Sequence, residues 1–198
     1  EGPQAESILT SLGALPGHKP CSLVEWGHFH LTRCSYAGGE GYTMFLPKED
    51  RDALAEKLEG AGVVPGDAET FEAFRIANGR PRYGVEITEA SIPQETQQMH
   101  AVHTSKGCYL GQEIVERVRS RGHVNRLLTS VQISGPPLAK GTKLIAGGKE
   151  AGEMMSSVSV PGSDNAVGFA IVRAEALQPG AILSADGREV RPAAPQAH

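Results

Sequence analysis

The chain has 198 residues, a formal net charge of -4, 39% hydrophobic residues and 21% charged residues. This composition is ordinary for a soluble globular protein, and its acidic balance excludes a surface coated with positive charge for nucleic acid. No apolar run approaches the roughly 18–20 residues that span a bilayer. Its three cysteines are widely spaced and odd in number, which excludes a disulfide framework and predicts a reducing, cytoplasmic location.

The first part of the chain mixes helical and strand patterns. Pro3 can occupy the first turn of a helix that runs to Leu12. Residues 22–34 alternate as a strand does, and residues 42–46 form a second strand candidate. Helices are predicted from Pro47 to about Ala61 and from an Asp67 N-cap through Phe71, Phe74 and Ile76 to Asn78-Gly79. The fold class is therefore α+β, with helices on one face of a mainly antiparallel sheet.

From Leu127 onward the pattern changes to short strands separated by glycine and proline turns. The strand candidates are 127–133, 142–146, 152–160, 166–173, 181–185 and 188–191. They predict a small C-terminal antiparallel β-barrel followed by a disordered tail from Pro192. The predicted domains are residues 1–105, a signature segment at 106–126, and the barrel with its tail at 127–198.

The signature segment reads KGCYLGQE at residues 106–113 and continues through a basic stretch to Arg126. A helix beginning near Gly111 or Gln112 would place its partly positive N-terminus beside Cys108, and Lys106 lies two positions away. Both features favour the thiolate form. Lysine and arginine occupy positions 106, 117, 119, 121 and 126, and glutamate occupies 113 and 116, which gives the segment a local charge of +3. A basic patch on an acidic chain indicates an anionic ligand.

We identify Cys108 as the candidate catalytic thiol. It could ligate a cluster transiently, exchange with a disulfide or carry an adduct, and its alternative is a small buried hydrophobe. The candidate ligand-binding residues are Lys106, Tyr109, Gln112, Glu113, Arg117 and Arg121. Their alternative is a solvated face held by pairs such as Glu113–Arg117, with Tyr109 in the core.

No metal site is predicted. Cys21, His28, His30 and Cys34 have a spacing that matches no familiar zinc pattern. Strand alternation also places Cys21 on the opposite face from the other three residues. His100 and His103, near Cys108, form a second and weaker cluster.

The string KGCYLGQE followed by RVRSRGHVNRLL resembles the signature of the YgfZ-type folate-binding proteins, which are relatives of the glycine-cleavage T-protein. Residues 33–42, with the sequence RCSYAGGEGY, and residues 74–86, with the sequence FRIANGRPRYGVE, are similar to two further segments of the same clan. Cys108 and Tyr109 stand where the T-protein has an acidic residue and Phe, so they mark the YgfZ branch. The opening Gly2-Pro3-Gln4-Ala5 resembles a segment inside the family's first domain, which implies that an N-terminal segment precedes it in the full protein.

The resemblance implies a folate-dependent accessory protein for iron–sulfur cluster assembly or repair. Tetrahydrofolate would lie in a central cleft with Cys108 and Lys106 at its rim. Implied partners are cluster-assembly proteins and cluster enzymes, including tRNA-modifying ones. The alternative is a tetrahydrofolate-dependent aminomethyltransferase: the shared scaffold favours it, whereas Cys108 and Ala77, which replaces a T-protein glutamate, argue against it. An RNA-binding barrel is a third hypothesis, and the scarcity of interleaved aromatic residues argues against it.

Overall fold

A computed structural model describes residues 1–103, 105–122 and 124–193 of the protein. The chain divides into two compact units, Glu1–Arg80 and a second unit that begins at Pro81. The predicted signature segment and barrel both lie in the second unit. The predicted domain boundaries at residues 105 and 126 stay predictions.

The first unit contains a three-stranded antiparallel sheet in the order β1-β2-β3, together with three helices. The strands are β1 Leu23–Trp26, β2 Phe29–Thr32 and β3 Thr43–Phe45, and the helices are α1 Ala5–Ser11, α2 Arg51–Gly60 and α3 Ala68–Ala77. Leu9, Ala14 and Leu31 are buried together, and side chains such as Trp26 and Leu58 pack against them. The predicted α+β class is confirmed for this unit.

Residues 22–34 form a hairpin, although their alternation predicts a single strand. Trp26 pairs with Phe29 across a turn at Gly27, whose φ of 64° suits glycine. The register pairs Leu23 with Thr32, and the Cys21 N–H donates to the Arg33 carbonyl at 3.0 Å. The hairpin therefore brings Cys21 beside Cys34, and the prediction that these two cysteines lie on opposite faces is wrong. Alternation assigns faces only along one continuous strand.

Helix α3 begins as the sequence predicts. The Thr70 N–H donates to the Asp67 carboxylate at 2.8 Å, so Asp67 is the N-cap. The helix buries Ile76 and Arg75, whereas Phe71 is 39% and Phe74 50% exposed. Of the three apolar residues predicted to form the buried face, only Ile76 is buried, and the charged residue Arg75 is buried beside it.

Arg75 is held by several acceptors. Its guanidinium donates to the Glu72 carboxylate at 2.6 Å and to the Arg80 carbonyl at 2.9 Å. A buried guanidinium needs such partners to offset its desolvation. Within the clan-like segment 74–86, Arg75 therefore fixes the turn that follows α3.

The second unit carries helix α4, Gln112–Arg121, and then a closed six-stranded antiparallel barrel in the order β4-β7-β6-β5-β8-β9. The strands are β4 Arg126–Ile133, β5 Lys143–Ala146, β6 Lys149–Ser159, β7 Ala166–Arg173, β8 Leu183–Ala185 and β9 Arg188–Pro192. The predicted barrel is confirmed. Ala185 pairs with Arg188 across Asp186-Gly187, as the hairpin signal predicts.

The disorder predicted from Pro192 onward does not begin there. Pro192 pairs with Val131, and the Ala193 N–H donates to the Ser130 carbonyl at 2.8 Å. The rest of the predicted tail, residues 194–198, lies outside the described residues.

Side chains from all six strands fill the barrel. Among the largest fully buried ones are Ile133, Leu144, Met154, Leu183 and Val190. Gly152 and Gly168 have no space for a side chain, because a Cβ there would collide with backbone oxygens of Ile171 and Ser156 respectively. In the described ranges of the chain, no helix is long and apolar enough to cross a membrane.

Candidate functional site

The signature segment forms a loop that leads into α4. Gly111 is the N-cap, with φ 87°, a left-handed conformation that favours glycine. The Tyr109 N–H donates to Oε1 of Gln112 at 3.2 Å, and the Gln112 N–H donates to the Tyr109 carbonyl at 3.3 Å. Gln112, predicted to bind ligand, therefore also shapes the loop that displays its neighbours.

A surface cavity of about 450 Å³ lies between the 99–109 segment and α4. Five of the six predicted ligand-binding residues line it: Lys106, Tyr109, Gln112, Glu113 and Arg117. The apolar side chains Met99, Val102 and Val115 complete part of its wall. The side chain of Arg121, the sixth residue, lies outside the described part of the chain.

The charges that line the cavity are unevenly paired. Arg119 forms a two-point contact with Glu116, with Nη2 at 2.6 Å from Oε1 and Nε at 2.8 Å from Oε2. This hydrogen-bonded contact lowers the pKa of Glu116 and raises the pKa of Arg119. The ammonium of Lys106 lies 4.3 Å from the centre of the Tyr109 ring, a cation–π contact.

Arg117 differs from Arg119. The Glu113–Arg117 pair of the alternative solvated face does not occur among the described ion pairs; Glu116 instead pairs with Arg119 at i,i+3. Within the described residues Arg117 has no ion-pair partner, so its guanidinium remains available to an anion in the cavity. Lys106 adds a second positive charge to the lining of the cavity, and Glu113 adds a negative charge.

Cys108 is exposed and carries a free thiol. The alternative of a small buried hydrophobe is therefore wrong for this residue. The described residues that line the cavity include its neighbours Lys106 and Tyr109 but not Cys108 itself. An external partner can reach the thiol directly, and its functional role stays a prediction.

Sequence reasoning assigned no role to Glu86, the last residue of the clan-like segment 74–86. It is 1% exposed, accepts from the Arg82 N–H at 2.8 Å and accepts from the Ser156 hydroxyl at 2.5 Å. A charged residue inside a clan-like segment is the signal that could have identified it. Its hydrogen bonds fix the 82–86 turn to barrel strand β6.

The structure separates the residues considered for zinc. His28 lies 2.8 Å from an Asp50 carboxylate oxygen. No group of three or more His, Cys, Asp or Glu residues suited to a metal ion occurs in the described part of the chain, which omits residues 104, 123 and 194–198. Of the original four residues, the hairpin brings Cys21 and Cys34 together.

Comparison with known proteins adds two kinds of similarity. The family model of the CAF17 C-terminal β-barrel domain matches residues 126–197. An aminomethyltransferase from Rubrobacter xylanophilus is 30% identical over 183 residues, which cover 88% of this chain and 49% of that protein. One from Geobacillus kaustophilus is 27% identical over 202 residues, covering 96% of this chain and 54% of the relative.

The fold is shared with a solved structure. The glycine cleavage system aminomethyltransferase T of Bartonella henselae superposes with a TM-score of 0.78 at 23% identity, over 96% of this chain and 55% of that one. The chain therefore spans about half the length of the curated relatives it matches. In sequence and in fold it is similar to the glycine-cleavage T-protein and its relatives.

Proposed function

We propose that the protein is a folate-dependent accessory factor for iron–sulfur cluster assembly or repair, of the YgfZ type. The observation that carries the proposal is the signature loop itself: an exposed thiol, Cys108, stands beside a cavity that its sequence neighbours line. The match of residues 126–197 to the CAF17 barrel supports the same reading. The implied partners are cluster-assembly proteins and cluster enzymes, including tRNA-modifying ones, in the cytoplasm.

The cavity residues fit tetrahydrofolate in chemistry. The volume of about 450 Å³ is within the range of small-molecule sites. Arg117 and Lys106 would hold the carboxylates of the ligand, and the half-buried Tyr109 would contact its apolar part. When bound, tetrahydrofolate supplies a carrier for a one-carbon unit, and the residues named here bind and orient it.

A tetrahydrofolate-dependent aminomethyltransferase is the second candidate. Similarity to aminomethyltransferases across most of the chain favours it. Ala77, which stands where the T-protein has a glutamate, and the cysteine of the signature loop favour the accessory role. The two candidates differ in turnover: the transferase releases product from an aminomethylated donor, whereas the accessory factor binds folate without turnover.

Complementation tests the proposal. Cells that lack the gene would re-express its complete product, either native, as Cys108→Ser, or as Cys21→Ser, and the activity of an iron–sulfur enzyme would be assayed. We expect the native protein and Cys21→Ser to restore it and Cys108→Ser to fail, because serine cannot replace a thiolate as nucleophile or cluster ligand. Immunoblotting would verify equal protein levels.

The possible outcomes separate the candidates. Equal rescue by Cys108→Ser would remove the thiol from the mechanism. Failure of the native protein itself, combined with turnover of an aminomethylated donor by the purified protein, would favour the transferase.

A further inference from the structure

Two cysteines outside the candidate site meet at the open end of the β1–β2 hairpin. The Cys21 N–H donates to the Arg33 carbonyl at 3.0 Å, so the backbone of Cys21 lies against the residue that precedes Cys34. The two thiols make a side-chain hydrogen bond with each other. A disulfide spans Cα atoms roughly 4.4–6.8 Å apart, a range that two cysteines in side-chain contact can reach.

The backbone around both cysteines is fixed by hydrogen bonds. The Ser22 N–H donates to the Lys19 carbonyl at 3.2 Å, which closes a turn with Pro20 and Cys21 at its centre. Cys21 has φ 59°, a conformation that this turn position normally reserves for glycine or asparagine. The Cys34 carbonyl accepts from the Thr43 hydroxyl at 2.7 Å. Neither sulfur therefore depends on a freely moving loop for its position.

The two thiols interact and differ in access. Cys21 is exposed, whereas Cys34 is half-buried. Burial raises the pKa of Cys34, and the charge of Cys21 and the hydrogen bond that the Cys34 thiol donates to Cys21 raise that pKa further, while Arg80 acts in the opposite direction. An external reagent thus reaches Cys21 first, with Cys34 beside it.

We propose that Cys21 and Cys34 form a dithiol site that a low-molecular-weight disulfide, such as oxidised glutathione, converts to an intrachain disulfide. The Cys21 thiolate attacks the external disulfide, forms a mixed disulfide and expels one thiolate. Cys34 then loses its proton to solvent, attacks the sulfur of Cys21 and expels the second thiolate. The two cysteines are oxidised by two electrons, and the external disulfide is reduced to two thiols.

Formation of this bond closes a ring from residue 21 to residue 34 around the hairpin. In a reducing compartment a disulfide of this kind forms when the ratio of disulfide to free thiol in the surroundings rises. It is reduced again when that ratio falls. Cys108 lies in the second unit and is not one of the two cysteines of the proposed exchange.

The test treats the native chain with oxidised glutathione and maps its peptides without reduction. Trypsin cleaves after Arg33 and leaves the Lys19-Pro20 bond intact, so the disulfide would join peptides 1–33 and 34–48, while Cys108 lies in peptide 107–117. We expect the joined pair in the native chain and in Cys108→Ser, with the intact protein about 2 Da lighter. In about 6 M guanidinium chloride we expect its yield to fall by roughly tenfold, because the fold supplies the proximity.

Three results would overturn the proposal. One is a chain that keeps three free thiols under excess oxidant. Another is a chain that stops at a glutathione adduct on Cys21, and the third is a bond from either cysteine to Cys108.

Discussion

Arg117 and Arg119 lie on the same short helix and line the same cavity, yet their surroundings differ. Arg119 holds Glu116 by two hydrogen bonds. Arg117 has no ion pair among the residues that the structure describes. A cation already neutralised by a carboxylate attracts an added anion weakly, whereas an unpaired cation attracts it strongly. The difference gives a matched pair of variants.

Replacing Arg117 by Ala should weaken tetrahydrofolate binding about tenfold or more, since one charge-assisted contact is lost. Replacing Arg119 by Ala should change the affinity by less than about threefold. Titration calorimetry on both purified variants measures the two dissociation constants. Equal losses in the two variants, or none in Arg117→Ala, would place the ligand elsewhere.

At the scale of an element, α3 depends on a titratable cap. Hydrogen bonds from Thr70 lower the pKa of Asp67 below its usual 3.8. Because the folded-state pKa is the lower one, the contribution of the cap is complete above pH 3.8 and is lost as pH falls through the folded value. Acid should therefore loosen the first turn of α3.

The protection factor of the Thr70 amide in hydrogen exchange measures this loosening. In the native chain we expect it to fall by about threefold or more on acidification below the usual aspartate pKa. In Asp67→Asn the protection factor of the Thr70 amide should not change over the same pH range, because the asparagine side-chain carbonyl accepts the same hydrogen bond and does not titrate. The same pH dependence in both chains would assign the change to another group.

The elements show how far local patterns predict a fold. Asp67 and the Asp186-Gly187 turn were predictable because each depends on its own neighbours. The β1–β2 hairpin was not, because residues 22–34 alternate on both sides of Gly27 and give no sign of the reversal. The Glu116–Arg119 pair and the contacts of Glu86 with strand β6 depend on rotamers and on residues distant in sequence. Five cavity-lining residues were predictable only because they share one short segment.

On the scale of the molecule, the barrel is the part most sensitive to added volume. A Cβ added at Gly152 in β6 would lie less than 3.0 Å from the Ile171 backbone oxygen in β7, and one added at Gly168 in β7 would lie less than 3.0 Å from the Ser156 backbone oxygen in β6. A Cβ at Gly168 would also lie 2.9 Å from Met154 Cε and 2.9 Å from Ser157 Cβ. Backbone atoms of a closed barrel cannot move apart without disturbing the neighbouring pairs, so little relaxation is possible.

Gly168→Ala should destabilise the barrel by about 2 kcal/mol or more. Gly107→Ala is the control, because its Cβ meets nothing within 4 Å. Hydrogen exchange of the β6 and β7 amides under increasing urea reports barrel stability, and the fluorescence of Trp26, the only tryptophan, reports the first unit. Equal barrel stability in the two variants would mean that the strands separate more easily than their packing indicates.

The pairing of β4 with β9 also constrains the order of events during synthesis. Val131 pairs with Pro192, about sixty residues later in the chain. A ribosome that adds roughly 5–20 residues per second needs about 3–12 s to cover that distance. Throughout this interval the inward face of β4 has no partner from β9, and its apolar side chains are accessible to chaperones or to other nascent chains.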